Sequence, residues 1–223
     1  MDIQKADTVV VFIDPQNDVL SEGGANWGAV GASVTENGTV ENMERIFKAA
    51  KANGSQVFIS PHYFYPTDSD WKMNGPLEAD ELRTHTFARM GSLNLTGFAN
   101  SGADWLDRFK PYIEDGKTIV VSPHKVFGPQ TNDLVLQLRK RGINRIILGG
   151  MLANMCVESH LRELIELRGC GGQRCNRRAS ASDLGRRLSS RDYQLPVSGP
   201  CRVVDRRNGQ TNAGCMRGPD CAI

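Results

Sequence analysis

The chain predicts an α/β fold built on a mostly parallel sheet. Three observations predict it: short continuous apolar runs of strand length, amphipathic helical segments between them, and chemistry-bearing residues just past the ends of the runs. Helices cover both faces of a parallel sheet, so its strands read as unbroken apolar runs rather than alternating ones. Strands alternating with helices give βαβ units.

The first run is Thr8-Val9-Val10-Val11-Phe12-Ile13, ended by Asp14-Pro15-Gln16-Asn17-Asp18. From Val40 to Ala52, the residues Val40, Met43, Ile46, Phe47 and Ala50 form one helical stripe, closed by Asn53-Gly54. Gln56-Val57-Phe58-Ile59 is the second strand and leads into Ser60-Pro61-His62. Pro66 to Lys110 is irregular and reads as a substrate-selecting excursion. Thr118-Ile119-Val120-Val121 is the third strand, followed by Ser122-Pro123-His124-Lys125. Asn132 to Arg141 repeats the helical design with Leu134, Val135 and Leu138 and is closed by Gly142. Arg145-Ile146-Ile147-Leu148 is a fourth strand, broken by Gly149-Gly150. From Cys156 to Leu167, apolar residues Val157, Leu161, Leu164, Ile165 and Leu167 recur at helical spacing.

In open α/β sheets, ligands bind beyond the carboxyl ends of the strands. An acid (Asp14), an amine (Lys125) and a thiol (Cys156) each stand just past such an end. A cysteine opening a helix meets unpaired N–H groups and the positive end of the helix dipole, which favour thiolate. Taken singly, Cys156 is equally a small core residue, Asp14 a turn residue and Lys125 a solvated charge. Taken together, they describe an activated nucleophile with a base and a cation.

The segments VVFIDPQND, HKVFGPQTNDL and GGMLANMCVESHLRE resemble the isochorismatase-like cysteine hydrolase family, over about Thr8 to Gly169. That family includes nicotinamidases, N-carbamoylsarcosine amidohydrolase and ureidoacrylate amidohydrolase. The resemblance implies a three-layer α/β/α, Rossmann-like domain over residues 1–169 with an Asp–Lys–Cys triad on Asp14, Lys125 and Cys156. It also implies a cis peptide between Met151 and Leu152 that turns the Leu152 N–H, with that of Cys156, toward a developing oxyanion. A cysteine nucleophile implies hydrolysis of a C–N bond in a small amide or carbamoyl compound, through a thioester. Gln16, Trp27, His62 and Phe127 are the expected pocket residues. The alternative is a catalytically impaired, oligomerising α/β module of the same family.

Nicotinamidases of the family carry an Asp-x-His metal motif after the second strand, whereas this chain has Ser60-Pro61-His62. No metal and no cofactor are therefore expected, and His62 reads as a pocket wall. His160 lies four residues after Cys156 on the same helix face, and reads as packing rather than as a Cys–His dyad. The resemblance further implies a homo-oligomer. No 18-residue apolar run and no charged-then-apolar leader occur, so a cytoplasmic protein with a small-molecule substrate and no membrane partner is expected.

Residues 170–223 differ in composition. Five of the six cysteines lie there, with no CxxC pair, as do ten of the 27 Lys and Arg (all Arg) but only four of the 25 Asp and Glu. The body is thus net acidic and the tail net basic. An Arg-rich tail can bind nucleic acid, but we read this one as an out-of-frame translation. Permitted codons for CGGQRCNRR, shifted by one base, encode AVARDATAG; those for RRLSSRDYQLPVSGPCRV encode DGYQAATINYRFLAHAV. Both resemble what the family carries after its nucleophile helix, so the tail is expected to be irregular and the domain to lack its last strand and helix.

Overall fold

The computed structural model describes residues 6–166 and 177–179. All of them belong to one compact unit, Met1–Leu184. The elements run β1 (Thr8–Ile13), α1 (Asn17–Leu20), α2 (Trp27–Glu36), α3 (Thr39–Ala52), β2 (Gln56–Ser60), α4 (Pro76–Thr84), α5 (Lys110–Ile113), β3 (Ile119–Val120), α6 (Leu134–Lys140), β4 (Arg145–Gly150), α7 (Cys156–Glu166) and β5 (Arg177–Ala179). The five strands form one sheet in the order β3-β2-β1-β4-β5, and every pairing is parallel.

β1 is central because all six of its residues are buried. Alternate side chains of a strand point to opposite faces, and each face has its own helices. Val9, Val11 and Ile13 pack with Leu134 and Leu138 of α6 and with Val157 and Leu164 of α7. On the other face the Phe12 ring stacks on Phe47 of α3, centroids 4.2 Å apart, and Phe47 meets Phe109 at 5.2 Å. Each fully buried side chain of this size contributes about 1.5–3 kcal/mol.

Two strand ends differ from the apolar pattern. β3 is only two residues long and half-exposed, at the sheet edge. β4 continues through Gly149 and Gly150, which pair with Phe12 and Ile13. Glycine is required at 150: its φ is +125°, and a Cβ there would lie 2.0 Å from the Ile13 carbonyl oxygen. The bare backbone lets β4 press against the end of β1.

A three-residue segment from the tail, Arg177–Ala179, pairs with Ile146, Ile147 and Leu148 as β5. The boundary at Gly169, the out-of-frame reading and the proposed irregularity of the rest of the tail lie outside the described residues. Among the described residues, no helix is long and apolar enough to cross a membrane.

The chain leaves β1 toward β2 and β3 on one side and returns to β4 on the other, so the strand order reverses between β1 and β4. The crevice at their carboxyl ends is where such sheets take ligands.

Candidate active site

Asp14 ends β1 with φ at +50°, a left-handed conformation that an aspartate tolerates better than most residues. The turn directs a carboxylate that is only 1 % exposed into the crevice. Its Oδ1 lies 2.8 Å from Nε2 of His124. Cys156 arrives from the other side of the switch point, as the first residue of α7 and likewise buried. Its Sγ is 3.1 Å from the Val126 carbonyl oxygen, and its thiol is also within hydrogen-bonding reach of Asp14. The peptide bond between Met151 and Leu152 is cis, and the Leu152 N–H faces the sulfur.

The helix N-terminus does not make Cys156 a standing thiolate. Burial pushes the thiol well above its ordinary range, and the charges of Asp14 and Glu81 push the same way, against the Leu152 N–H. A thiol in this setting needs a base at the moment of reaction, and Asp14 is beside it.

Lys125 is held elsewhere. Its Nζ donates to the Tyr63 carbonyl oxygen at 2.8 Å and pairs with the Asp68 carboxylate. The rings of Tyr65, Phe64 and Trp71 surround it, the nearest centroid at 4.6 Å. The side chain that meets Asp14 belongs to the preceding residue, His124. Sequence reasoning missed it, because a lysine beside a histidine drew the attention that the spatial register gives to the histidine. His124 bridges to His62 in parallel register, as a continuation of the β2–β3 pairing.

His124 sits between two other buried imidazoles, ring centroids 4.9 Å from His62 and 4.8 Å from His160. His160 bonds the Cys156 carbonyl oxygen through Nδ1 at 2.7 Å and the Ser60 hydroxyl through Nε2 at 3.0 Å. It therefore braces the first turn of α7 against β2. Burial and the neighbouring His124 push it down to about 3, so it is neutral. Gly128 closes over it, since a Cβ there would meet the His160 ring at 2.5 Å.

His62 is fully buried, and neither ring nitrogen has a hydrogen-bond partner. Burial first, then His124, Lys125 and His160, hold it well below the ordinary histidine range. Its Nε2 is 3.8 Å from Oε2 of Glu81, which α4 brings in from the irregular excursion. Glu81 is another residue that sequence reasoning missed, since nothing in its neighbourhood marks it as facing the sheet. Burial, reinforced by the charge of Asp14, pushes Glu81 up to about 8. The folded state thus binds a proton that the unfolded chain releases near its ordinary value of 4.5. That contribution is complete at acid pH and is lost as pH rises through about 8. Urea midpoints measured from pH 5 to 9 are expected to fall with rising pH, and Glu81→Gln is expected to flatten that fall.

The other expected pocket residues divide. The Gln16 side chain is buried and clamps β2 to the excursion: Nε2 donates to the carbonyls of His62 (3.0 Å) and Ala103 (2.8 Å), and Oε1 accepts from the His62 N–H. Phe127 follows the His124–Lys125 pair with 53 % of its surface exposed. Trp27 lines a separate cavity with Leu20, Val34, Leu106 and Arg108, which contains none of Asp14, His62, His124 or Cys156.

His62, His124 and Cys156 place ligand-type atoms within 4.8 Å of one another. For His124 to take a metal it would have to release Asp14 or the Lys125 carbonyl oxygen, because each ring nitrogen already has a partner. Of the trio, His124 and Cys156 are engaged in hydrogen bonds, whereas both ring nitrogens of His62 are without one.

Residues 8–169 match the isochorismatase domain. The chain belongs to the isochorismatase family. Ureidoacrylate amidohydrolases are among its relatives: that of Rhizobium rhizogenes is 28 % identical over 175 residues, covering 74 % of this chain and 67 % of the relative. The enzyme of Acinetobacter baylyi is 30 % identical over 168 residues, covering 70 % of this chain and 64 % of the relative. Among solved structures, a cysteine hydrolase from Pseudomonas syringae pv. phaseolicola superposes with a TM-score of 0.58 at 19 % identity, covering 75 % of this chain and 70 % of the other. N-carbamoylsarcosine amidase from Thermoplasma acidophilum superposes at 0.52 and 15 % identity, with 72 % and 77 % covered. The fold is thus that of this family.

Proposed function

We propose that the protein is a cysteine amidohydrolase that cleaves a C–N bond of a small amide or carbamoyl compound. The observation that carries this reading is the placement of a buried thiol, Cys156, beside a buried carboxylate, Asp14, at the switch point of the sheet. Membership of a family with ureidoacrylate amidohydrolases as relatives supports the substrate class.

Asp14 takes the thiol proton as Sγ adds to the carbonyl carbon, giving a tetrahedral oxyanion. The Leu152 N–H, aimed at the sulfur in the resting site, lies beside the position where that oxygen develops, with the Cys156 N–H as the second donor. Asp14 then gives its proton to the leaving nitrogen, the C–N bond breaks, and ammonia or an amine departs from the thioester. Water attacks the thioester as Asp14 accepts its proton. The acid product leaves, and the proton returns to sulfur. In this reading, Lys125 anchors the loop that carries Val126 and Phe127.

The test is ammonia release from a panel that includes ureidoacrylate, N-carbamoylsarcosine and nicotinamide, with pyruvate release from isochorismate as a vinyl-ether comparison. Turnover of an amide or carbamoyl compound is the expected result. Turnover of isochorismate alone would contradict the reading.

A further inference from the structure

We propose that His124 is the cation of the active site, a positioning residue that holds Asp14 ionised in the role that the family resemblance gives to Lys125. The inference rests on the cysteine-hydrolase reading of Cys156 and Asp14.

The hydrogen-bond partners of the ring carry it. Nδ1 of His124 contacts the backbone carbonyl oxygen of Lys125, and Nε2 contacts Oδ1 of Asp14 at 2.8 Å. A carbonyl oxygen only accepts, and an ionised carboxylate only accepts. The ring satisfies both by donating from both nitrogens, as an imidazolium, and the Asp14–His124 contact is then a charge-assisted pair.

The surroundings require one cation here. Asp14 is 1 % exposed and His124 is fully buried, so an unpaired carboxylate at this place would bear the full cost of leaving water. The groups that face His124 are Asp14 from β1, His62 from β2, and Cys156 and His160 from α7; Glu81 of α4 lies beyond His62. His62 and His160 are both held neutral, and neither reaches Asp14 in a hydrogen bond. Lys125 is committed to Tyr63 and Asp68 inside its aromatic surround. Among the described residues around Asp14, His124 is left to balance it.

The consequence is chemical. With Oδ1 held by the ring, the thiol proton passes to Oδ2. The buried imidazolium also faces the negative charge that then gathers on sulfur. A lysine reaches a carboxylate as a flexible point charge, whereas a ring wedged between His62 and His160 holds it in one orientation.

The experiment measures the alkylation rate of Cys156 by iodoacetamide in the full-length protein. The Cys156 peptide is quantified by mass spectrometry from pH 5 to 9, and circular dichroism reports the fold of each variant. In His124→Gln the rate at pH 7 is expected to fall by roughly a hundredfold, the low end of what a positioned general base supplies, and the rising limb to move to higher pH. His124→Lys is expected to return the limb close to its original place, and carries the test if His124→Gln does not fold. Lys125→Gln is expected to lower thermal stability and leave the limb where it was. A limb that moves in Lys125→Gln and stays in the His124 variants would overturn the inference while leaving the cysteine reading intact. Undiminished ammonia release by Asp14→Asn from an amide or carbamoyl substrate at pH 7 would instead overturn the cysteine–aspartate reading itself.

Discussion

Cys156→Ala is expected to abolish turnover and leave the fold intact. The side chain is small and sits at the end of the cluster formed with Val157, Leu134 and Leu148, so removing one sulfur opens little space. The catalytic loss is of another order, because no other group among the described residues stands where the sulfur does. Its hydrogen bond reaches Val126 on one side, and the Leu152 N–H faces it on the other. Losing a covalent nucleophile costs about 10⁴–10⁶ in kcat in enzymes of this kind of chemistry. Ammonia release by the alanine chain, with thermal unfolding as the control, measures it. Binding of substrate is expected to survive, because the loss falls on the transition state rather than on the ground state.

Asp14→Asn is expected to cost about 10²–10⁴ in kcat, with KM little changed. The amide is nearly isosteric with the carboxylate but cannot take a proton from sulfur. Since burial holds the Cys156 thiol well above its ordinary range, the site has no reserve of thiolate to draw on. The asparagine chain should therefore regain part of its rate at alkaline pH, where hydroxide does the work of the missing base. Removing the Asp14 charge also relieves one of the influences that raise the thiol. Rate against pH for the two chains reads out both effects. A pH-independent ratio of the two would mean that Asp14 is not the base.

Much of the fold was legible because burial on both faces leaves its mark on consecutive residues. β1, β2 and β4 are apolar runs, and α3 carries its stripe at Met43, Phe47 and Ala50. α2 was not legible. It is made of Gly, Ala, Ser and Thr around Val30 and Val34, residues whose spacing alone does not separate a helix from a loop. Gly31 lies under the Trp27 ring, where a Cβ would come within 2.4 Å of the indole. Such a contact exists only once the helix has formed. α4 and its Glu81 were hidden in the same way, inside a stretch whose pattern is set by contacts to the sheet rather than by its own period.

The site was legible as a set of strand ends and illegible as a set of side chains. Asp14 and Cys156 follow strands whose neighbours in the sheet are fixed, so their placement follows from topology. The choice between His124 and Lys125 depends on which of two adjacent residues turns inward. The edge strand β3 has only two residues, too few for alternation to decide it. The thiolate expectation drew on the helix end, which is local. Burial and the facing acids, which are not local, push the thiol the other way.

The measurement that bears most directly on the central claim is the mass of the protein in a reaction quenched with acid during turnover of an amide or carbamoyl substrate. A thioester at Cys156 adds the acyl mass to the peptide containing that residue and is lost on treatment with hydroxylamine. An acyl mass on the Cys156 peptide, absent in the alanine chain, is the predicted result. Undiminished turnover by the alanine chain, or an acyl mass on any other residue, would contradict it.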